Sequence, residues 1–209
     1  MFDSDFADRF VQLLRWRRDV RHFAPDAVPE QDMHELLTCA ALAPSVGNSQ
    51  PWRFVRLRSV TVRDALVAHV DEQNALAAER YQGQERYETY RKLKLHGLRE
   101  APELLAVFCD EKPEAGHGLG IATMPEALRY SCVTAIHTLW LTARLRGIGV
   151  GWVSILDPAA VRAMLDVPAD WSLIALLCIG FPQDEFDTPE LERQGWQLRE
   201  PLLDRVFER

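Results

Sequence analysis

The sequence predicts a single α/β (α+β) domain in which a mixed central sheet is flanked by helices. Three observations carry this. Apolar runs of strand length, at 104–109 and 173–180, alternate with longer segments of helical spacing. The run Leu173-Ile174-Ala175-Leu176-Leu177-Cys178-Ile179-Gly180 contains no charged or hydroxyl side chain, the pattern of a strand buried on both faces at the centre of a sheet. No repeat, low-complexity tract or Pro/Ser linker divides the 209 residues, so 1–209 reads as one domain.

Each element follows from local chemistry. Asp3 and Ser4 offer N-caps for a helix running to about Arg18, with Phe6, Phe10, Leu13 and Leu14 as its apolar stripe. His22-Phe23-Ala24-Pro25-Asp26 breaks it. Pro29 suits a first helical position, and Met33, Leu36, Leu37 and Ala40 share one face of the helix that follows. The stretch 43–52 carries two prolines, a glycine and short polar side chains, an irregular loop rich in free backbone N–H groups. A strand is expected at 52–58. The segment 61–98 is helical in pattern but interrupted at Gly83 and Gly97, and its second part has little continuous apolar face. That suits a helical insertion or lid over about 71–98, or else a solvated hairpin.

A buried strand at 104–109 and a glycine-bearing loop at 110–123 come next. The segment 125–146 is the strongest helix; it is apolar nearly all round, so a central position is expected, with His137 as a core histidine. A glycine-bearing strand at 149–155, a short helix at 158–165 and the strand at 173–180 complete the pattern. The tail, about 181–209, is polar, with Trp196, Arg199, Leu202, Leu203, Val206 and Phe207 as anchors, and is expected to reach across to a second subunit.

The formal net charge of −7 disfavours a nucleic-acid coat, so any phosphate site must be a local basic cluster fitted to a small ligand. The four cysteines, Cys39, Cys109, Cys132 and Cys178, sit in apolar runs without a Cys-x-x-Cys pair, as buried thiols in a reducing compartment do. The N-terminus, Met1-Phe2-Asp3-Ser4-Asp5-Phe6, has no apolar signal core, and no run reaches the roughly 20 apolar residues of a membrane span. The expected location is the cytoplasm, with no membrane or nucleic-acid partner.

One basic cluster stands out. Arg17-Arg18-Asp19-Val20-Arg21 places three guanidinium groups and a carboxylate where the first helix ends. Arginine forks onto phosphate, whereas a carboxylate weakens the field that a phosphate needs. Asp19 is therefore either a spacer paired to one of the arginines or a group that does chemistry; the whole stretch is otherwise a solvated helix end. No Gly-x-Gly-x-x-Gly follows a strand, since Gly147-Ile148-Gly149-Val150-Gly151 precedes one. No Walker loop, His-Glu-x-x-His, Gly-x-Ser-x-Gly or close Cys/His cluster is present, so no metal site is expected.

Arg-Arg-x-x-Arg at 17–21, Ala-Pro-Ser-x-x-Asn-x-Gln-Pro-Trp at 43–52 and Gly-x-Gly-Trp at 149–152, in this order and spacing, resemble the FMN-dependent nitroreductase superfamily over nearly the whole chain. Within it, Arg-Arg-Asp-Val-Arg (17–21), Ala-Pro-Ser-Val-Gly (43–47), Tyr-Arg-x-Leu-Lys-Leu (90–95), Gly-Val-Gly-Trp-Val-Ser-Ile (149–155) and Gly-Trp (195–196) are similar to the family of 5,6-dimethylbenzimidazole synthases. Ordinary members usually carry Ser where this chain has Asp19, so Asp19 with Ser154 is the discriminating pair.

The resemblance implies a nitroreductase-like fold, a homodimer and an unusual use of FMN. Reduced FMN is the substrate and O2 the co-substrate. The flavin is fragmented to 5,6-dimethylbenzimidazole, the lower ligand of cobalamin, and erythrose 4-phosphate. It implies catalytic roles for Asp19 and Ser154. Flavin contacts are implied for Arg17, Arg18, Asp19, Val20 and Arg21, for Ser45 and Asn48 in the polar loop, and for Arg91 and Lys94. Gly151, Trp152, Ser154 and Arg199 complete the implied set. The residues themselves leave other roles open: loop capping for Ser45, a solvated helix face for Arg91 and Lys94, core packing for Trp152, and a satisfied hydroxyl for Ser154. An external flavin reductase is a possible partner. The competing readings are an NAD(P)H-dependent nitroreductase or quinone reductase, and a flavin-binding protein without turnover.

Overall fold

The computed structural model describes residues 3–209, so the Met1-Phe2 part of the N-terminal reading lies outside the described residues. Helix α1 (Ser4–Trp16) is capped by Asp3, whose carboxylate accepts the Phe6 N–H at 2.9 Å. Helix α2 (Glu30–Ala40) buries Met33, Leu36 and Ala40, three residues of the face its spacing marked. Strand β1 (Trp52–Arg56) is followed by α3 (Val60–Glu79) and the short α4 (Tyr87–Lys92). Then come β2 (Glu103–Asp110), α5 (Ala127–Leu145), β3 (Gly149–Val153), α6 (Pro158–Met164), β4 (Trp171–Gly180) and α7 (Glu190–Arg193).

The four strands run in the order β1-β2-β4-β3, every neighbour antiparallel. The all-apolar β4 is internal, as its composition predicted. The sheet is thus antiparallel where a mixed one was expected, and the one parallel pairing among the described residues is an isolated bridge, Asp19 to Val150, which lays the segment 17–21 along the outer edge of β3. Two-residue alternation splits the strand side chains between two layers. Leu105, Val107, Cys109, Val150, Ala175, Leu177 and Ile179 face α2 and α5. Leu104, Ala106, Phe108, Val153, Leu176 and Cys178 face α3 and α6 on the other side. Each fully buried leucine or isoleucine in these layers contributes about 1.5–3 kcal/mol of transfer free energy. Three of the four cysteines are buried here and Cys39 is half-buried, all as free thiols.

The structure corrects several expectations. The helical stretch 61–98 is two helices, and its burial stops at Val70; from 71 to 89 no residue is buried, until Tyr90 packs inward with its hydroxyl donating to Asn74 at 2.9 Å. The strand expected at 149–155 ends at Val153, which leaves Ser154 exposed just beyond it. Helix α5 is not enclosed on all sides. One side packs on the sheet and α2, while Tyr130 (59% exposed), Val133 (41%) and Leu145 (72%) face outward. His137, four residues from Val133 on that same stripe, is exposed and is not a core histidine. The apolar stripe of α1 is likewise uncovered, with Phe6, Phe10 and Leu14 exposed. No described helix is long and apolar enough to cross a membrane.

Candidate active site

The site is built where the chain leaves α1. Arg17 turns extended at the helix C-cap, its N–H still donating to the Leu13 carbonyl at 2.9 Å. The next residues lie against β3, with the Val20 N–H donating to the Val150 carbonyl at 3.1 Å. This approach explains the glycines of β3. A Cβ on Gly151 would collide with the Val20 carbonyl oxygen, and one on Gly149 would meet the Val20 side chain at 2.7 Å. Within this chain, then, the glycines admit the segment that carries the arginines, and Val20 is the residue that wedges it against β3.

That docking orients Asp19. Its Oδ1 accepts the Trp152 N–H at 2.9 Å and its Oδ2 accepts Arg21 Nε at 2.8 Å. Arg21 in turn donates through Nη1 to the Lys94 carbonyl at 2.8 Å. The Arg21 side chain is 11% exposed, whereas that of Asp19 is 31% exposed. The carboxylate is thus held in one orientation by a backbone amide and a buried guanidinium, yet part of it stays open to a ligand. Asp19 is paired, as the spacer reading required, but the pairing leaves it reachable.

The other arginines are differently placed. Arg17 lies over the Trp140 ring, 4.9 Å from its centroid, and the Trp140 indole donates to the Arg18 carbonyl at 3.2 Å. Arg18 donates to backbone carbonyls, through Nε to Asp187 at 2.7 Å and through Nη1 to Arg17 at 2.8 Å. Burial and the nearby Arg199 lower the pKa of Arg17, with Asp19 opposing; burial, Arg17 and Arg199 lower that of Arg18, against Asp187 and Glu192. Among the described residues, none of these three guanidinium groups forms an ion pair with a carboxylate. A cleft shared by Arg18 and Arg199 opens at the surface beside Asp187 and Glu192. Three guanidiniums without an ion-pair partner, one exposed and two half-buried, form a basic patch of the kind that suits a small multivalent anion, with Asp187 and Glu192 beside it.

Of the remaining predicted residues, Trp152 packs beside this cluster and Lys94 reaches it through its carbonyl, whereas Ser45, Asn48 and Arg91 are not drawn to it within one chain. Ser45 Oγ accepts the Gln50 N–H at 3.1 Å, a local loop cap, and Asn48 is exposed with a left-handed φ of +54°. Their loop is tied to the start of α5, where Ser131 Oγ accepts the Val46 N–H at 3.0 Å. Trp140, under the arginines, lies nine residues further along α5, about 14 Å at 1.5 Å per residue. Lys94 offers the cluster its carbonyl, while its ammonium pairs with Glu100 at 2.7 Å. Arg91 is exposed on α4 and rests over the Tyr87 ring at 5.7 Å. Trp152 is half-buried against Trp140, ring centroids 6.5 Å apart. Ser154 has no hydrogen bond among the described residues and follows Trp152 by two residues.

Sequence reasoning missed Trp140 as the platform under Arg17, and it missed the aromatic group formed by Tyr81, Tyr90 and Trp196. Only the proximity of remote segments reveals either. The Gly195-Trp196 pair was the one local signal.

Residues 14–181 match the family model described as the nitroreductase family. A Rhodospirillum rubrum protein named 5,6-dimethylbenzimidazole synthase is 59% identical over 201 residues, covering 96% of this chain and 95% of that protein. A Rhodobacter capsulatus protein of the same name is 48% identical, covering 96% of each. Among solved structures, iodotyrosine deiodinase bound to FMN and 3-iodo-L-tyrosine superposes with a TM-score of 0.71 at 24% identity, over 84% of this chain and 91% of that one. A BluB-like flavoprotein from Clostridium difficile 630 superposes with a TM-score of 0.70 at 19% identity, over 95% and 98%. At such identities the two structures speak to the fold.

Proposed function

The chain belongs to the nitroreductase family and, by full-length likeness, to its 5,6-dimethylbenzimidazole synthases, and from that premise we propose that its site fragments reduced FMN with O2, releasing 5,6-dimethylbenzimidazole and erythrose 4-phosphate. The observation that carries the reading is Asp19: a carboxylate set in an arginine cluster, fixed by the Trp152 amide and Arg21, and still partly open. Docking the arginine segment occupies Asp19 toward Trp152 and Arg21, and the part of the carboxylate left open is what a site that only gripped an anion would not need.

Reduced FMN supplies both the electrons for O2 and the ring that leaves. The protein's own groups divide the remaining work. Arg17, Arg18 and Arg199 bind the phosphate, and Arg21 holds Asp19 in place. Asp19 accepts and returns a proton along the ribityl chain, within the reach of general acid–base chemistry. The Ser154 hydroxyl, exposed and uncommitted, donates to the reacting flavin edge. Segment 71–98 covers the ring and excludes water, which protects the oxygen chemistry from premature peroxide loss. Arg91 and the Lys94 ammonium join the site only as that segment settles on the flavin.

The reading includes a homodimer in the cytoplasm, with reduced FMN delivered by a separate reductase. The exposed apolar stripes of α5 and α1 and the exposed Leu202, Leu203, Val206 and Phe207 of the tail support a second copy as the cover. The loop of Ser45 and Asn48, about 14 Å along α5 from the arginines, then reaches flavin from the partner subunit.

The test is direct. Purified protein mixed with chemically reduced FMN in air should yield 5,6-dimethylbenzimidazole, measured by mass spectrometry. Recovery of only oxidised FMN and peroxide would sink the reading. Rapid NAD(P)H-dependent reduction of nitroaromatics or quinones without loss of flavin would establish the conventional reductase instead.

A further inference from the structure

The tail from 187 to 199 touches both the arginine cluster and the covering segment. At its start, the Asp187 carbonyl accepts Arg18 Nε at 2.7 Å. Helix α7 follows and ends in a rigid turn: Gly195 adopts φ +69°, its N–H donates to the Glu192 carbonyl at 3.0 Å, and the Trp196 N–H donates to the Leu191 carbonyl at 2.8 Å. This is the paired hydrogen-bond pattern of a Schellman cap, which fixes the direction of the residue after the glycine. Trp196 is thereby aimed at the lid. Its ring sits edge-on to Tyr81 at 5.6 Å and to Tyr90 at 6.0 Å, and Arg86 lies over it at 5.3 Å. Tyr81 and Tyr90 are themselves stacked at 4.7 Å. Three residues later, Arg199 returns to the cleft it shares with Arg18. The span from 196 to 199 is at most about 11 Å of chain.

We propose that this tail is a bracket through which phosphate occupancy sets the position of the lid, with Trp196 as the positioning residue. Like charges on Arg17, Arg18 and Arg199 oppose the seating of the tail; Asp187 and Glu192 line the same cleft and offset part of that repulsion, but among the described residues neither forms an ion pair with the three arginines. A phosphate monoester reverses that sign. It holds Arg199 beside Arg18, keeps Trp196 packed against the tyrosines and Arg86, and so biases α4 toward the docked position seen here. Binding at one end and docking at the other are then linked, and such linkage is reciprocal. The couplings of this kind run from about 5-fold to 150-fold in affinity. The bracket also selects for substrate: a flavin lacking the phosphate can enter without closing the lid.

The inference rests on the flavin reading, and the test separates the two. Hydrogen exchange is followed by mass spectrometry in the full-length protein, free or saturated with oxidised FMN, riboflavin or inorganic phosphate, with flavin binding scored independently by fluorescence quenching. The bracket predicts that FMN slows exchange over 81–93 at least about 5-fold more than riboflavin does, and that inorganic phosphate alone gives part of that protection. Trp196→Ala should still bind FMN, though about 5-fold or more weakly as the linkage requires, but lose the protection of 81–93 at saturation, and with reduced FMN in air it should raise peroxide relative to 5,6-dimethylbenzimidazole. Trp196→Phe should restore part of both. Equal protection of 81–93 by FMN and riboflavin in the unaltered protein overturns the bracket without any variant. Full FMN-dependent protection in Trp196→Ala overturns the role of Trp196. No binding of either flavin overturns the flavin reading itself.

Discussion

Substituting Gly151 by alanine tests how the site is held together. The added Cβ would collide with the Val20 carbonyl oxygen, and neither partner is a side-chain tip that can swing aside. The segment 17–21 must therefore lift from β3. Lifting it breaks the Val20–Val150 hydrogen bond of 3.1 Å and the Asp19–Trp152 bond of 2.9 Å. The first is a neutral bond worth about 1 kcal/mol; the second, with a charged acceptor, is worth about 1.5–3 kcal/mol. Asp19 is 31% exposed, so the lower end applies and the sum is about 2.5 kcal/mol. For a domain of this size each kcal/mol moves Tm by about 2–4 °C, which predicts a fall of about 5–10 °C by calorimetry. Because the arginines and Asp19 ride on the lifted segment, oxidised FMN should bind at least about tenfold more weakly in a fluorescence titration, equivalent to about 1.4 kcal/mol. Gly149→Ala meets only the Val20 side chain and should cost less. A Gly151→Ala protein with an unchanged Tm and unchanged FMN affinity would refute the claim that β3 holds the clamp.

Other outcomes follow from the same geometry. Asp19→Asn keeps an acceptor for the Trp152 amide but removes the proton-transfer group, so product formation should drop by about 100-fold or more while FMN binding changes little; undiminished product would remove Asp19 from the chemistry. Hydrogen bonds from Arg56 and Arg58 hold the Glu30 carboxyl down to about 2, from a usual value near 4.5. A depressed folded-state pKa stabilises fully above the unfolded value, so this contribution should persist above pH 4.5 and fade as pH falls toward about 2. Glu30→Gln should flatten that part of the Tm–pH curve, and an unaltered slope would contradict the assignment. If the proposed homodimer forms through the outward stripe of α5, Val133→Asp should leave the fold intact and give a monomer in light scattering where the unaltered protein gives a dimer; a dimer that survives would place the interface elsewhere.

Much of this was legible in the residues. The all-apolar run at 173–180 announced an internal strand, and Met33, Leu36 and Ala40 announced the buried face of α2, because spacing encodes which side of an element is apolar. Arg17 to Arg21 was legible as a charged cluster because its members are adjacent. What spacing does not encode is the partner of a face. The apolar sides of α5 look alike in composition whether they meet the sheet or another surface, so spacing alone does not mark Val133 and His137 as the exposed residues they are. Gly151 owes its place to Val20, more than a hundred residues away in the chain, and the half-buried Trp196 owes its packing to Tyr81 and Tyr90. Ser154 fell outside β3 because the strand stops where its pairing with β4 stops, at Val153 opposite Leu176.

An enzyme of this kind consumes its flavin and does not recycle it. Reduced FMN carrying isotopic label in its two ring methyl groups can be supplied in air, and the label followed by mass spectrometry. Labelled 5,6-dimethylbenzimidazole should appear one-for-one with FMN lost. Label that stays in intact FMN through repeated oxidation would show a recycled cofactor instead.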